Sequence, residues 1–353
     1  MAENNNRNNI ECDKTNGIFE LRGIVTGTKK NEFYTEGTTK NHKPYRSINF
    51  GVEIESGKTI YIKLFGMPQE KVFFSKRDKD TKKTDTQPVD WKDRMTWKRE
   101  GYRMIGVNCG VTKKLDEKGN EVNDSKTLTP FDACGELRNL RDGQSVFVKG
   151  NIIYSTYQGK HQINFEPNQV SLMTKPISFE ADDFAPHAFF TQTIIFQNIA
   201  KSEEVENEFV ISAKTVGFNA VEDCELFTRN SRLAKTLKSV LKPYNSVEVF
   251  GDIIVESHVK EIEDENGWGG RNKMNHIDSS TSRKLMITGA EESSVDKEKY
   301  TEDIIDKALA VIAANRNAKK EFGADDDSSK SSDDDWGKNK PVNYNESEDD
   351  IEF

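Results

Sequence analysis

The sequence predicts a mainly β chain in which a small, strongly curved barrel occurs twice. Three observations carry this. The stretch LRDGQSVFVKGNII at 140–153 returns as LKPYNSVEVFGDII at 241–254, 101 positions later and without a gap, and seven of the fourteen positions are identical. In the first copy Val146, Val148 and Ile152 alternate with Phe147, Lys149 and Asn151, so the two sets point to opposite faces of a strand. Gly150 then sits mid-strand, where a missing side chain marks a bulge or a tight bend at a barrel corner.

The length of 353 residues leaves room for two domains plus tails. Hydrophobic residues make up 34% against 31% charged, too few core-formers for one large globule, so part of the chain is expected to be loop or disorder. No apolar run reaches the roughly 18 residues of a membrane span, and the polar start MAENNNRNN lacks a signal-peptide core. Cys12, Cys109, Cys134 and Cys224 form no CxxC pair and have no histidine nearby in sequence. Reduced thiols in a cytoplasm are the expectation, with no metal and no cofactor. The net charge of −9 conceals an asymmetry: residues 1–180 are net +6, residues 181–322 net −7 and residues 323–353 net −8. A basic first domain is masked by an acidic tail.

Along the chain, residues 1–16 read as a disordered leader, and 17–176 as the first domain. Its strands are expected at 19–28, 45–54 and 59–65, the last with Ile60, Ile62 and Leu64 inward and Tyr61, Lys63 and Phe65 outward. A long basic and aromatic insertion, about 67–139, precedes the repeated strand, and a strand at 161–173 ends the domain. An acidic linker at 177–187 follows. The second domain, 188–290, has strands at 189–199, 208–218, 222–228, 247–262 and 284–289, with a helix over 231–241 capped by Asn230 or Ser231. A helix over 300–322 shows an apolar stripe, and 323–353 is too polar to offset the entropy of folding.

A leucine, a turn and a strand kinked at glycine resemble the oligonucleotide-binding barrel (the OB fold, a Greek-key barrel) of bacterial and phage single-stranded-DNA-binding proteins. The resemblance implies two tandem OB-fold barrels, short helices and a disordered acidic C-terminal tail. The last residues, Glu348 to Phe353, resemble the acidic tip of that family, with Asp349, Asp350, Ile351 and Phe353 matching and Glu352 where the family has proline. The resemblance implies that replication, recombination or repair proteins bind this tip. Physically, a terminal Phe fills an apolar pocket and the acids steer a basic partner. A tail that serves solubility alone is the plainer alternative.

Single-stranded DNA offers phosphates to cations and base faces to aromatic rings. Candidate contacts are therefore Lys29, Lys30, Phe33, Tyr34, Lys43, Tyr45, Arg46, Tyr61, Lys63, Trp91, Arg94, Trp97, Lys98, Arg99, Lys149, Lys160, Trp268, Arg271 and Lys273. Plainer roles stand beside these: Phe33, Tyr34 or Phe65 as caps on an open barrel end, and Trp91 and Trp97 as anchors of the insertion. No nucleotide-binding glycine loop, metal cluster or nucleophile–base set points to an enzyme. The expected function is sequence-independent binding and protection of single-stranded DNA. The alternatives are a protein-only scaffold, or a Mg-dependent nuclease or recombinase. Two barrels in one chain permit a working monomer, and a homo-oligomer is equally open.

Overall fold

The computed structural model describes residues 10–78, 80–157, 160–203, 205–261 and 277–321. The chain opens with strands β1 (Gly17–Thr26), β2 (Tyr34–Thr38), β3 (Pro44–Glu55) and β4 (Lys58–Gly66). Alternation sets their faces: Phe19, Leu21 and Val25 of β1, Ile48, Phe50, Val52 and Ile54 of β3, and Ile60, Ile62 and Leu64 of β4 are all buried. The stretch between the expected strands 19–28 and 45–54 contains β2, which folds back on β3 as a hairpin.

The insertion is built of β5 (Lys71–Arg77), β6 (Thr84–Asp90), β7 (Arg103–Met104), β8 (Val107–Gly110), β9 (Lys113–Leu115), β10 (Glu121–Asn123), β11 (Lys126–Leu128) and helix α1 (Pro130–Leu137). Strands β5, β6 and β7 form a sheet of their own around Val72, Phe74 and Val89. The helix begins where Thr129 Oγ1 accepts a hydrogen bond from the Asp132 N–H at 3.2 Å and Pro130 occupies the first turn. It is too short, and buries too few residues (Ala133, Cys134 and Leu137), to show in sequence periodicity. Strands β12 (Ser145–Tyr157) and β13 (Lys160–Leu172) complete the first half.

The long strands of this half pair in a closed circuit. β1 pairs with β3, β3 with β4, β4 in parallel with β13, β13 with β12, and β12 with β1 again. The second half repeats the circuit with β14 (His187–Lys201), β15 (Phe209–Val216), β16 (Val221–Thr228), helix α2 (Ser231–Val240), β17 (Ser246–Glu261) and β18 (Ile277–Asp296). Here β14 pairs with β15, β15 with β16, β16 in parallel with β18, β18 with β17, and β17 with β14. Helix α2 precedes the fourth strand as α1 does, and Asn230 caps it by accepting from the N–H groups of Arg232 and Leu233, each at 3.1 Å.

The repeated motif occupies equivalent places in the two circuits. Leu140, Val146, Val148 and Ile152 are buried, and so are Leu241, Val247, Val249 and Ile253. The pairing register shifts at Gly150 in one half and at Gly251 in the other, a bulge at each. Antiparallel pairing of β1 with β14 joins the halves into one mixed sheet over a continuous apolar core.

Two elements differ from the expectation. The alternation at 284–289 marks only the buried middle of β18, which runs far beyond it in a hairpin with β17. Residues 10–16, expected in the leader, lie along the second half, where the Thr15 N–H donates to the Val216 carbonyl at 2.9 Å. Helix α3 (Glu302–Glu321) lies where a helix was expected, with Ile305 packed against Tyr300, Ile195 and Val216 and Leu309 38% exposed.

Candidate nucleic-acid interface

Inward Ile60, Ile62 and Leu64 turn Tyr61, Lys63 and Phe65 outward on β4, and the register sets them opposite Gly51, Asn49 and Ser47 of β3. Tyr61 is 37% exposed and Phe65 46% exposed. Tyr45 stacks on Phe65 with ring centroids 5.6 Å apart and planes at 26°. Cations converge on Tyr61: Lys30 Nζ lies 5.8 Å and Arg283 Cζ 6.0 Å from its ring centroid. A cleft of about 290 Å³ opens here, lined by Asn49, Tyr61, Lys63, Gln162, Asn164 and Arg283 among others. Arg283 belongs to β18, so both halves build this cleft.

The remaining candidates divide. Lys29 and Lys43 are exposed at the neighbouring loops. Phe33 is only 7% exposed and part of the main core, which removes it as a stacking ring; the short turn into β2 aims it inward. Tyr34 packs against that core beneath Arg138, and its hydroxyl donates to Glu36 at 2.6 Å. Arg46 shares the parity of inward Ile48, not of Tyr45, so it is turned towards α1; its guanidinium lies 4.2 Å from the Phe131 ring centroid and 3.6 Å from Glu36. Lys149 pairs with Glu20 across the β1–β12 ladder at 2.5 Å.

In the insertion Trp91 and Trp97 cover the small apolar centre of β5 and β6, because an excursion of this length needs a core of its own. Trp97 lies 4.4 Å from Phe74, and Arg94 sits 4.0 Å from the Trp91 centroid while its Nε and Nη2 donate to Asp132 at 2.7 and 2.9 Å. Trp97 thus belongs to the small core of the β5–β7 sheet, while Trp91 and Arg94 join that sheet to α1 through Phe131 and Asp132. Lys98 and Arg99 remain exposed beside them. Lys160 begins β13, and its side chain lies outside the described residues, as do Trp268, Arg271, Lys273, Asp349, Asp350, Ile351 and Phe353.

Reading the sequence did not find Arg283, Asn49, Gln162 or Asn164. The one available signal was that Asn49 shares the outward parity of β3; Arg283 becomes relevant only when the halves meet. Burial lowers the pKa of the Arg283 guanidinium, and the neighbouring Tyr61 raises it. Burial likewise pushes the thiols of Cys109 and Cys134 up to about 12, which leaves them poor nucleophiles. Among the described residues, no group of three His, Cys, Asp or Glu side chains is placed to hold a metal ion, and no helix is long and apolar enough to cross a membrane.

The sequence matches the model of the YorF family across residues 18–325, nearly the whole of both halves. The chain belongs to the YorF family. Among curated proteins none matches. Among solved structures this YorF-family chain is similar to the single-stranded DNA binding protein from Thermus aquaticus. A deletion mutant of that protein shows 10% identity over 82% of this chain and 98% of that one, with a TM-score of 0.36. The wild-type protein shows 10% identity over 79% of this chain and 93% of that one, with a TM-score of 0.35.

Proposed function

We propose that this YorF-family protein binds single-stranded DNA without sequence preference and shields it during replication or recombination. The observation that carries this reading is the outward row Tyr45, Phe65 and Tyr61 on β3 and β4, with Lys63, Lys30 and Arg283 around it. Aromatic faces for bases beside cations for phosphates are what an unpaired strand requires, and stacking accepts any base. Each strand circuit, in the order first, second, third, fifth, fourth, supports reading each half as an oligonucleotide-binding barrel, 17–176 and 188–290. The second and third strands of such a barrel form its binding face.

The role is binding, not catalysis, in a cytoplasm, and the chain acts as a monomer or a homo-oligomer. The acidic tip, Asp349, Asp350, Ile351 and Phe353, recruits partner proteins of replication or recombination through its terminal Phe and its charge.

The test is anisotropy of a labelled oligo-dT titrated with the full chain at several salt concentrations, with a duplex as control. Binding of the single strand that weakens steeply with salt, and much weaker binding of the duplex, is the expected result. Equal binding of both, or none, would remove the reading.

A further inference from the structure

The cleft at Tyr61 lies at the seam between the halves. One wall is β3, β4 and β13; the other is Arg283 of β18, from the opposite circuit. The β12–β13 hairpin is tied to the second half by Thr156 Oγ1, which donates to Glu222 of β16 at 2.6 Å. Arg283 is half-buried on the wall of this cleft, and among the described residues no carboxylate pairs with it; the described ring beside it is Tyr61. A guanidinium remains charged in a protein, and a half-buried charge gains from an anionic partner. The ligand can supply that anion, and the planar fork matches a phosphate. The side-chain amides of Asn49, Gln162 and Asn164 line the same cleft and add hydrogen-bonding groups, with Asn49 Nδ2 also donating to the Glu32 carbonyl and Asn164 Nδ2 to Ser155 Oγ, each at 3.3 Å.

We infer that the single strand crosses from one half to the other at this cleft, with a base on Tyr61 and an adjoining phosphate on Arg283. The inference rests on the single-strand-binding reading above. It makes the acidic second half part of the same interface, so the first half alone is an incomplete site.

The experiment compares wild type, Arg283→Gln, Arg283→Lys and Tyr61→Ala in oligo-dT titrations across salt, with the full chain throughout. Arg283→Gln should weaken binding roughly tenfold or more and lower the log–log salt slope by about 0.7, one phosphate contact on a single strand. Arg283→Lys should restore the slope. An Arg283→Gln affinity equal to wild type, or a loss with an unchanged slope, overturns the inference; if Tyr61→Ala still weakens binding, the single-strand reading survives it. Absence of binding by wild type removes both. Should Arg283→Gln not fold, photocrosslinking of a 5-iododeoxyuridine oligonucleotide to the wild-type chain decides. Adducts at both Tyr61 and the β18 segment around Arg283 support the crossing, and adducts confined to 17–172 overturn it.

Discussion

A Cβ placed on Gly150 would overlap the carbonyl oxygen of Glu166 and lie 2.7 Å from the Pro167 Cα, because β13 crosses β12 there with no room for a side chain. Gly251 stands in the same relation to Met286, with the Thr288 nitrogen 2.8 Å from the position of a Cβ. Each glycine sits at the register shift of its circuit. The strand bends there because the bulge adds twist and the absent Cβ lets backbone approach backbone.

Gly150→Ala and Gly251→Ala are therefore expected to cost about 1–3 kcal/mol each, by overpacking against backbone that yields little. Urea denaturation midpoints measure this. Gly217→Ala is the control: its Cβ meets nothing closer than 3.9 Å, and a change within roughly 0.5 kcal/mol is expected.

Glu208 is fully buried and holds Lys284 at 2.7 Å and Arg229 at 2.9 Å, while Glu256 takes Lys284 at 3.2 Å and Arg229 at 2.5 Å. This ring of charges ties β16, β17 and β18 to the turn before β15. Lys284→Met strips Glu208 of its most buried partner and should destabilise by about 3–5 kcal/mol. An unchanged unfolding midpoint would show that Arg229 alone satisfies Glu208.

Acid should loosen the anchor of the insertion. Burial raises the pKa of Asp132, but hydrogen bonds from Arg94 and Thr129 outweigh it and hold the carboxyl below the usual aspartate range. A carboxylate depressed in the folded state adds stability above its unfolded pKa, near 3.9, and loses it as pH falls through the folded value. Wild type should thus lose stability below about pH 4. Asp132→Asn should show a flatter stability–pH curve and faster tryptic cleavage within 71–104 at neutral pH. A curve that parallels wild type would refute the anchoring role.

Binding variants separate surface rings from buried ones. Tyr61→Ala should lower oligo-dT affinity by about 1–3 kcal/mol, the worth of one stacked base. Trp97→Phe, on a ring committed to Phe74 and Tyr102, should leave affinity within error. The reverse ranking in anisotropy titrations would move the interface to the insertion.

Much of the β architecture was legible because strands write their faces into the sequence with a period of two. The buried apolar sets of β1, β3, β4, β12 and β17 follow the alternation, with Ser47 and Gly51 of β3 buried off it. Helix α2 was legible from its cap and stripe, whereas α1 was too short to carry a period. Parity likewise announced outward Tyr61, Lys63 and Phe65. The same parity sets adjacent Tyr45 and Arg46 on opposite faces, so Arg46 does not belong with Tyr45 among the outward contacts.

By itself, then, the sequence determined the repeat, the inward and outward residues of the main strands and the bends at Gly150 and Gly251, since all of these are local or periodic properties. Tertiary structure alone decided that Trp91 and Trp97 pack on the insertion's own core and that Arg283 meets Tyr61 across 222 positions of chain. Those facts depend on which surfaces the pairing of β1 with β14 brings together, and no local pattern encodes a contact between two separately closed circuits.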